Sequence, residues 1–277
     1  MVTNYEPLQY TGERMVPEKA EPSTYWEHIY RYRFAVPYVA GRRVLDIACG
    51  EGYGAAAFLK AGASSVIGVD ISEETCRHAR SKYGIDARIG DAQAIPLPDQ
   101  SVDVIVSFET IEHVPEPAAF LAECARVLAP GGRIIISTPN KDIYRFSGEQ
   151  HNPFHCSELT KEEFDELLSH RFVGSKMFMQ NIKFAPCWSL CSLAAEGSFW
   201  QRTRGLGRLS KTIRSLLCPH IREERGDERR LSTVEEILKK DSSVTSAVNP
   251  YAVREESKHK QEKPTYVIAV AEKRALK

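Results

Sequence analysis

Short, almost continuously apolar runs alternate with segments of helical spacing from Arg43 to Pro139. That alternation predicts βαβ units and a parallel sheet, an α/β fold. Strands are expected at Val44–Ala48, Ser65–Asp70, Ala87–Ile89, Val102–Phe108 and Arg133–Ser137. Several lack polar alternation, as strands covered by helices on both faces should. Helices are expected at Ala55–Lys60, Glu73–Lys82 and Ala118–Leu128. Ser72 reads as an N-cap followed by acids in the first turn, where the helix dipole favours them. Pro130-Gly131-Gly132 reads as the stop of the helix ending at Leu128 and the turn into the next strand. Thr160 with Glu163 three residues on forms a capping-box signature for a helix running to His170. Phe172–Ile182 suggests a sixth strand, and Thr265–Ala271 is the strongest late strand signal.

Four sections follow: an N-terminal cap (1–40), a core (41–183), a variable insertion (184–263), and a last strand with a tail (264–277). Within the insertion, Pro186–Trp200 is apolar enough for a packed helix, and Gln201–Arg214 is basic. The rest of it is charged or polar, and part helical, part mobile segments are expected.

Composition narrows the functional classes. Hydrophobic residues make up 42% and charged residues 27%, as in a globular protein with a real core. Thirty-seven Lys and Arg balance thirty-seven Asp and Glu, so no bulk field attracts nucleic acid, and no nucleic-acid partner is expected. The seven cysteines show no CxxC pair and no metal-ligand spacing, so reduced thiols and no metal are expected. Met1 to Pro7 is polar and carries Glu6, unlike a signal peptide. No apolar run approaches the roughly 20 residues that span a bilayer. These features predict a cytoplasmic protein.

Val44 to Gly54 runs a buried strand into a glycine turn and a helix. Gly50, Gly52 and Gly54 let the backbone turn tightly and approach a ligand closely. Taken alone, the loop admits three readings. Gly50, Gly52 and Ala55 also satisfy a dinucleotide GxGxx(G/A) pattern, with Asp70 at the distance of its ribose acid. A plain structural turn is the third. Asp46, four residues before Gly50, separates them: a carboxylate there would meet a ligand ammonium and repel a pyrophosphate.

With that loop, Val66–Ser72, Gly90-Asp91-Ala92, Val102–Val114 and Arg126–Pro139 together resemble class I S-adenosylmethionine-dependent methyltransferases, over about residues 40–182 plus the last strand. The resemblance implies a doubly wound, seven-stranded, mostly parallel sheet whose last strand lies antiparallel beside the fifth, and S-adenosylmethionine as cofactor. It implies cofactor contacts from Asp46, Ala48, Gly50 and Gly52 in the loop. Asp70 would take both ribose hydroxyls and Ile71 the adenine face. Asp91 and Ala92 would meet the adenine edge, while Phe108 and Glu109 would border the methionine end. Asp91 also reads as an ordinary turn residue.

Methyl transfer to a hydroxyl needs alignment and proton removal. His155 and His113 are the candidate bases, with His151 a weaker neighbour; each also reads as a loop-orienting residue. Thr11–Pro17, Glu27–Ala35 and the NPFHxxELT stretch resemble methyltransferases found with bacterial polysaccharide and sugar-modifying enzymes. That likeness implies a small-molecule acceptor, a glycan or nucleotide-sugar among the candidates. His28 and Tyr32 fall one helical turn apart and could close over the cofactor, and Arg14 could hold an acceptor carboxylate or phosphate. An amphipathic helix covering the sheet is the plainer account of the same residues. Other acceptors (a phenol, a quinone or an amine), a nicotinamide-dependent oxidoreductase, and a non-catalytic cofactor-binding partner stay open, and a homo-oligomer is compatible with all of them.

Overall fold

A computed structural model describes residues 8, 14–144, 154–180, 229–238, 253–255 and 264–274. Expectations that fall on His151, on Pro186–Trp200 and on Gln201–Arg214 lie outside these residues.

Helix α1 (Pro22–Ala35) and a short 3-10 turn (Val36–Tyr38) lead into β1 (Arg43–Ile47). Then follow α2 (Tyr53–Lys60), β2 (Ser65–Asp70), α3 (Glu73–Tyr83), β3 (Asp86–Ile89) and β4 (Val102–Ser107). A second 3-10 turn (Ile111–His113), α4 (Pro117–Val127), β5 (Leu128–Pro139), α5 (Lys141–Tyr144), α6 (Lys161–Ser169) and β6 (Phe172–Gln180) come next. The described residues end with α7 (Arg229–Leu238), the two-residue β7 (Arg254–Glu255) and β8 (Tyr266–Lys273).

The sheet order is β3-β2-β1-β4-β5-β8-β6-β7. The first five strands are parallel, and β8 lies antiparallel between β5 and β6. This is the doubly wound, mostly parallel sheet the sequence predicts, with the late strand where it was expected. Among the described residues it has eight strands rather than seven, because Arg254 and Glu255 pair with Met179 and Phe178 at the outer edge of β6.

Each face of the sheet carries its own core. On β1, Val44 joins the cluster with Tyr32, Tyr53 and Phe58 from α1 and α2, whereas Leu45 and Ile47 join Phe120 and Phe164 from α4 and α6. Side chains alternate along a strand, so Asp46 faces the α1/α2 side with Val44. Val234 and Ile237 of α7, within the insertion, are buried in that same cluster.

The caps form as their sequences dictate. Ser72 accepts from the Thr75 amide, and Thr160 and Glu163 make a reciprocal capping box. Pro130-Gly131-Gly132 behaves differently from the expected turn. Helix α4 stops at Val127 and strand β5 already starts at Leu128. Val102 pairs with Leu128 and Val104 with Arg133, so residues 129–132 bulge opposite Asp103 alone. Gly131 has φ 72°, and a Cβ on Gly132 would stand 2.8 Å from the Ala129 carbonyl oxygen. The bulge therefore needs these glycines inside a strand.

Candidate active site

The strand order reverses between β1 and β4, and open α/β sheets bind ligands beyond the carboxyl ends of their strands at such a point. A cavity of about 610 Å³ opens there, of ordinary size for a small-molecule site. Ala48 (φ 55°), just past β1, and Glu109 (φ 52°), just past β4, both line it in left-handed conformation. Such strain in non-glycine residues costs about 1–3 kcal/mol and clusters at functional sites.

Asp70, at the end of β2, stands at one end of the cavity. Its Oδ2 accepts from the Gly50 amide at 3.0 Å and its Oδ1 from the Ser72 amide at 2.9 Å. A carboxylate has about four lone-pair sites, so it keeps acceptor capacity toward the cavity. Beside it, Ile71 is 75% exposed, an apolar face turned to the opening. Asp91 and Ala92 line the same end. Asp91 Oδ1 accepts from the Gln93 amide at 2.8 Å, so Asp91 also serves its turn.

The glycine loop divides its labour. Gly50 lines the cavity; Gly52 is not among the lining residues. With φ 94° and a would-be Cβ 2.8 Å from the Ala79 Cβ, Gly52 makes room for α3 instead. Asp46 also stands behind the lining. It is fully buried, and Tyr32 Oη lies 3.3 and 3.4 Å from its two carboxylate oxygens. Burial pushes its carboxyl up to about 8, with the Tyr32 hydroxyl and the Ala55 amide pulling the other way. The sequence places Asp46 against a ligand ammonium; in the structure it meets Tyr32.

Gly54 is what admits Tyr32: a Cβ there would fall 1.9 Å from the tyrosine ring. His28 and Tyr32 of α1 both line the cavity, as their one-turn spacing allows. His28 Nδ1 meets the Tyr53 hydroxyl at 3.2 Å, and burial, then Arg31, holds the imidazole well below its ordinary pKa. Tyr53, absent from the sequence expectations, lines the wall between them.

At the other end stand Phe108, Glu109, His113, Pro115 and the half-exposed ring of Phe154. Glu109 accepts from the Ser137 hydroxyl at 2.6 Å and lies 3.8 Å from Arg31. His113 Nδ1 meets the Phe154 carbonyl oxygen at 3.1 Å. His155 is buried and does not line the cavity; its ring packs edge-on against His113, with centroids 4.9 Å apart. Burial and then His113 lower its pKa, against the pull of Glu158. Glu112, which the sequence left unremarked beside His113, is 1% exposed. Burial and the Glu109 carboxylate raise it well above the ordinary carboxylate range. Arg14 lines the cavity near Gly50, its Cγ 3.8 Å from where a Cβ on that glycine would stand.

A buried network ties the entry segment to this loop. Lys82 pairs with Glu51 and, at 2.8 Å, with Glu18, while His78 Nε2 meets Glu51 at 2.9 Å.

Residues 45–136 match a family model described as a methyltransferase domain. A relative in Mycolicibacterium smegmatis, named as a probable S-adenosylmethionine-dependent methyltransferase, is 45% identical over 165 residues, 58% of this chain and 63% of its own length. Residues 45–136 have the sequence character of a methyltransferase domain. The match to that relative thus spans under two thirds of its length. A ubiquinone biosynthesis O-methyltransferase of Idiomarina loihiensis is 40% identical over 109 residues, 37% of this chain and 44% of the relative. Among solved structures, an S-adenosylmethionine-dependent methyltransferase of Thermotoga maritima, described as a possible histamine N-methyltransferase, superposes with a TM-score of 0.54 at 19% identity. It covers 90% of this chain and 93% of its own. That likeness establishes the fold. The methyl donor of the class is S-adenosylmethionine, and the donor set here fits it. Asp70 and Glu109 offer carboxylates at opposite ends of the cavity, Ile71 offers an apolar face, and the backbone of Gly50 lies bare between them. Among the described residues no helix is long and apolar enough to cross a membrane.

Proposed function

We propose that the protein transfers the methyl group of S-adenosylmethionine to a hydroxyl oxygen of a small acceptor, a sugar or sugar-containing molecule. Asp70 takes the ribose hydroxyls, Ile71 covers the adenine, Asp91 and Ala92 meet its edge, and Ala48 and Gly50 run along the chain toward the sulfonium. Phe108 and Glu109 border the methionine end, and Tyr32 and His28 cover it from α1. Asp46 acts through Tyr32, holding that ring in place, and Gly52 acts through packing.

The observation that carries this reading is the polarity of the cavity. The fixed Asp70 carboxylate marks its β2 end, and His113, flanked by Glu112 and His155, marks its β4 end. The acceptor oxygen forms its bond to carbon as the carbon–sulfur bond breaks, with that electron pair going to sulfur. The hydroxyl proton leaves at the His113 end. Arg14 offers a cation for a phosphate-bearing or carboxylated acceptor.

A phenolic acceptor is the second reading, favoured by the exposed Phe154 ring at the acceptor end and by the names of the ubiquinone O-methyltransferase relatives. Incubation with methyl-labelled cofactor and two pools, nucleotide-sugars with free glycans or catechols, decides between them. Label in the sugar pool is expected. Label only in the catechols would replace the sugar acceptor with the phenol.

A further inference from the structure

The cluster beside the acceptor end has a donor set that methyl transfer alone does not explain. One oxygen of Glu112 and one nitrogen each of His113 and His155 lie within 4.8 Å of one another. They come from two segments, the turn Ile111–His113 and the loop before α6, which the backbone clamps together. The Cys156 and Ser157 amides both donate to the Glu112 carbonyl, at 2.8 and 3.0 Å. The Ser157 hydroxyl donates to the Val114 carbonyl at 3.0 Å.

Both imidazoles meet an oxygen acceptor through Nδ1: His113 the Phe154 carbonyl at 3.1 Å, His155 the Glu158 carboxylate at 3.4 Å. A neutral imidazole that donates from Nδ1 carries its lone pair on Nε2, and an outer oxygen partner both fixes the ring and raises its basicity. Metal-binding histidines are oriented in this way. His113 Nε2 is the atom that faces Glu112, 3.9 Å from Oε1.

Glu112 supplies an independent sign. Its side chain is 1% exposed, and Oε2 has no hydrogen-bond partner. The Arg31 guanidinium and the Thr138 hydroxyl favour its charged form, but Arg31 pairs with Glu109 and Gln180. A buried carboxylate oxygen without a hydrogen-bond partner is unfavourable, and a bound cation offsets that cost.

We propose that Glu112, His113 and His155 bind one divalent cation of the first transition row, Zn²⁺ or a neighbour, with an open position toward the cavity. Two imidazoles and a carboxylate suit such ions better than Mg²⁺ or Ca²⁺, which prefer all-oxygen shells. Ligand atoms at about 2.1 Å from one ion stand no more than about 4.2 Å apart, so only a small closure of the side chains is required. The ion's role rests on the methyl-transfer reading. An acceptor hydroxyl bound at the open position loses its proton to water more readily, and the oxygen then attacks the methyl carbon. The histidines thereby act as ligands rather than as bases.

The test is a Co²⁺ titration of the metal-stripped full chain, followed by visible absorption, with Zn²⁺ as competitor. One saturable Co²⁺ per chain, displaced by Zn²⁺, is expected. Glu158→Gln, which touches only the outer partner of His155, should weaken binding about 10-fold. His155→Ala and Glu112→Gln should weaken it further, and His170→Ala, outside the cluster, should not. Binding of S-adenosylhomocysteine by each variant reports its fold. Failure of the wild-type chain to bind Co²⁺, or unchanged binding in folded Glu158→Gln and His155→Ala variants, overturns the site. The titration needs no turnover, so Co²⁺ bound here by a chain that transfers no methyl supports the site and removes only its assigned role.

Discussion

The Tyr32 hydroxyl bridges both carboxylate oxygens of Asp46 at 3.3 and 3.4 Å, joining α1 to the strand that leads into the glycine loop. The Asp46 carboxyl is pushed up to about 8 by burial, against an ordinary value of 3.8. Between those two values the unfolded chain has lost this proton while the folded chain keeps it. Its contribution to stability is therefore complete below the ordinary value, declines as pH rises, and is gone above about 8. Asp46→Asn should flatten that decline in unfolding free energy between those pH values, as read by urea denaturation. Tyr32→Phe should cost about 1–3 kcal/mol by leaving the buried carboxyl without its side-chain partner.

Gly54 matters for the ring it admits. Gly54→Ala places a methyl 1.9 Å from Tyr32 and must displace the ring or the helix. A loss of about 1–3 kcal/mol is expected, the usual range for overpacking, together with weaker S-adenosylhomocysteine binding. Gly62→Ala, with φ 92° but open space around it, should cost stability without touching binding. Calorimetry on both variants separates crowding from backbone strain.

Asp70 is held ready by two amides before any ligand arrives. Asp70→Asn replaces one acceptor oxygen by a donor facing either an amide or a ribose hydroxyl. Hydrogen bonds to charged groups are worth about 1.5–3 kcal/mol, so S-adenosylhomocysteine affinity should fall roughly 10- to 100-fold. Equal affinity in the variant would remove Asp70 from the ribose site.

Lys82 is 5% exposed and pairs with Glu51, itself 1% exposed. Lys82→Met leaves the Glu51 carboxylate buried with only His78 beside it. Breaking a buried pair in this way costs about 3–5 kcal/mol. The loss should be visible as a lowered denaturation midpoint. Limited proteolysis should then cut first near Glu18, which Lys82 ties to the loop.

The sheet was largely legible because its strands are buried on both faces and so read as unbroken apolar runs, Val66 to Val69 and Ile134 to Ile136 among them. Pro130-Gly131-Gly132 misled because a strand bulge and a turn demand the same residues; only the pairing with Val102 and Val104 tells them apart. Cavity-lining residues at strand ends, Asp70, Ile71, Phe108 and Glu109, could be placed from the resemblance to the methyltransferase class. The Tyr32 partner of Asp46 was not legible, since it arrives from α1 through a gap that Gly54 leaves. Glu112, Tyr53 and Arg31 escaped notice for a related reason. Each gains its meaning from a neighbour brought in by folding: His155 for Glu112, His28 for Tyr53, and Glu109 with Gln180 for Arg31.

The most direct test of the cavity's assignment is calorimetric titration of the full chain with S-adenosylhomocysteine and, separately, with NAD. One S-adenosylhomocysteine per chain, weakened by Asp70→Asn, and no heat from NAD is the predicted result. Saturable NAD binding without S-adenosylhomocysteine binding would contradict it.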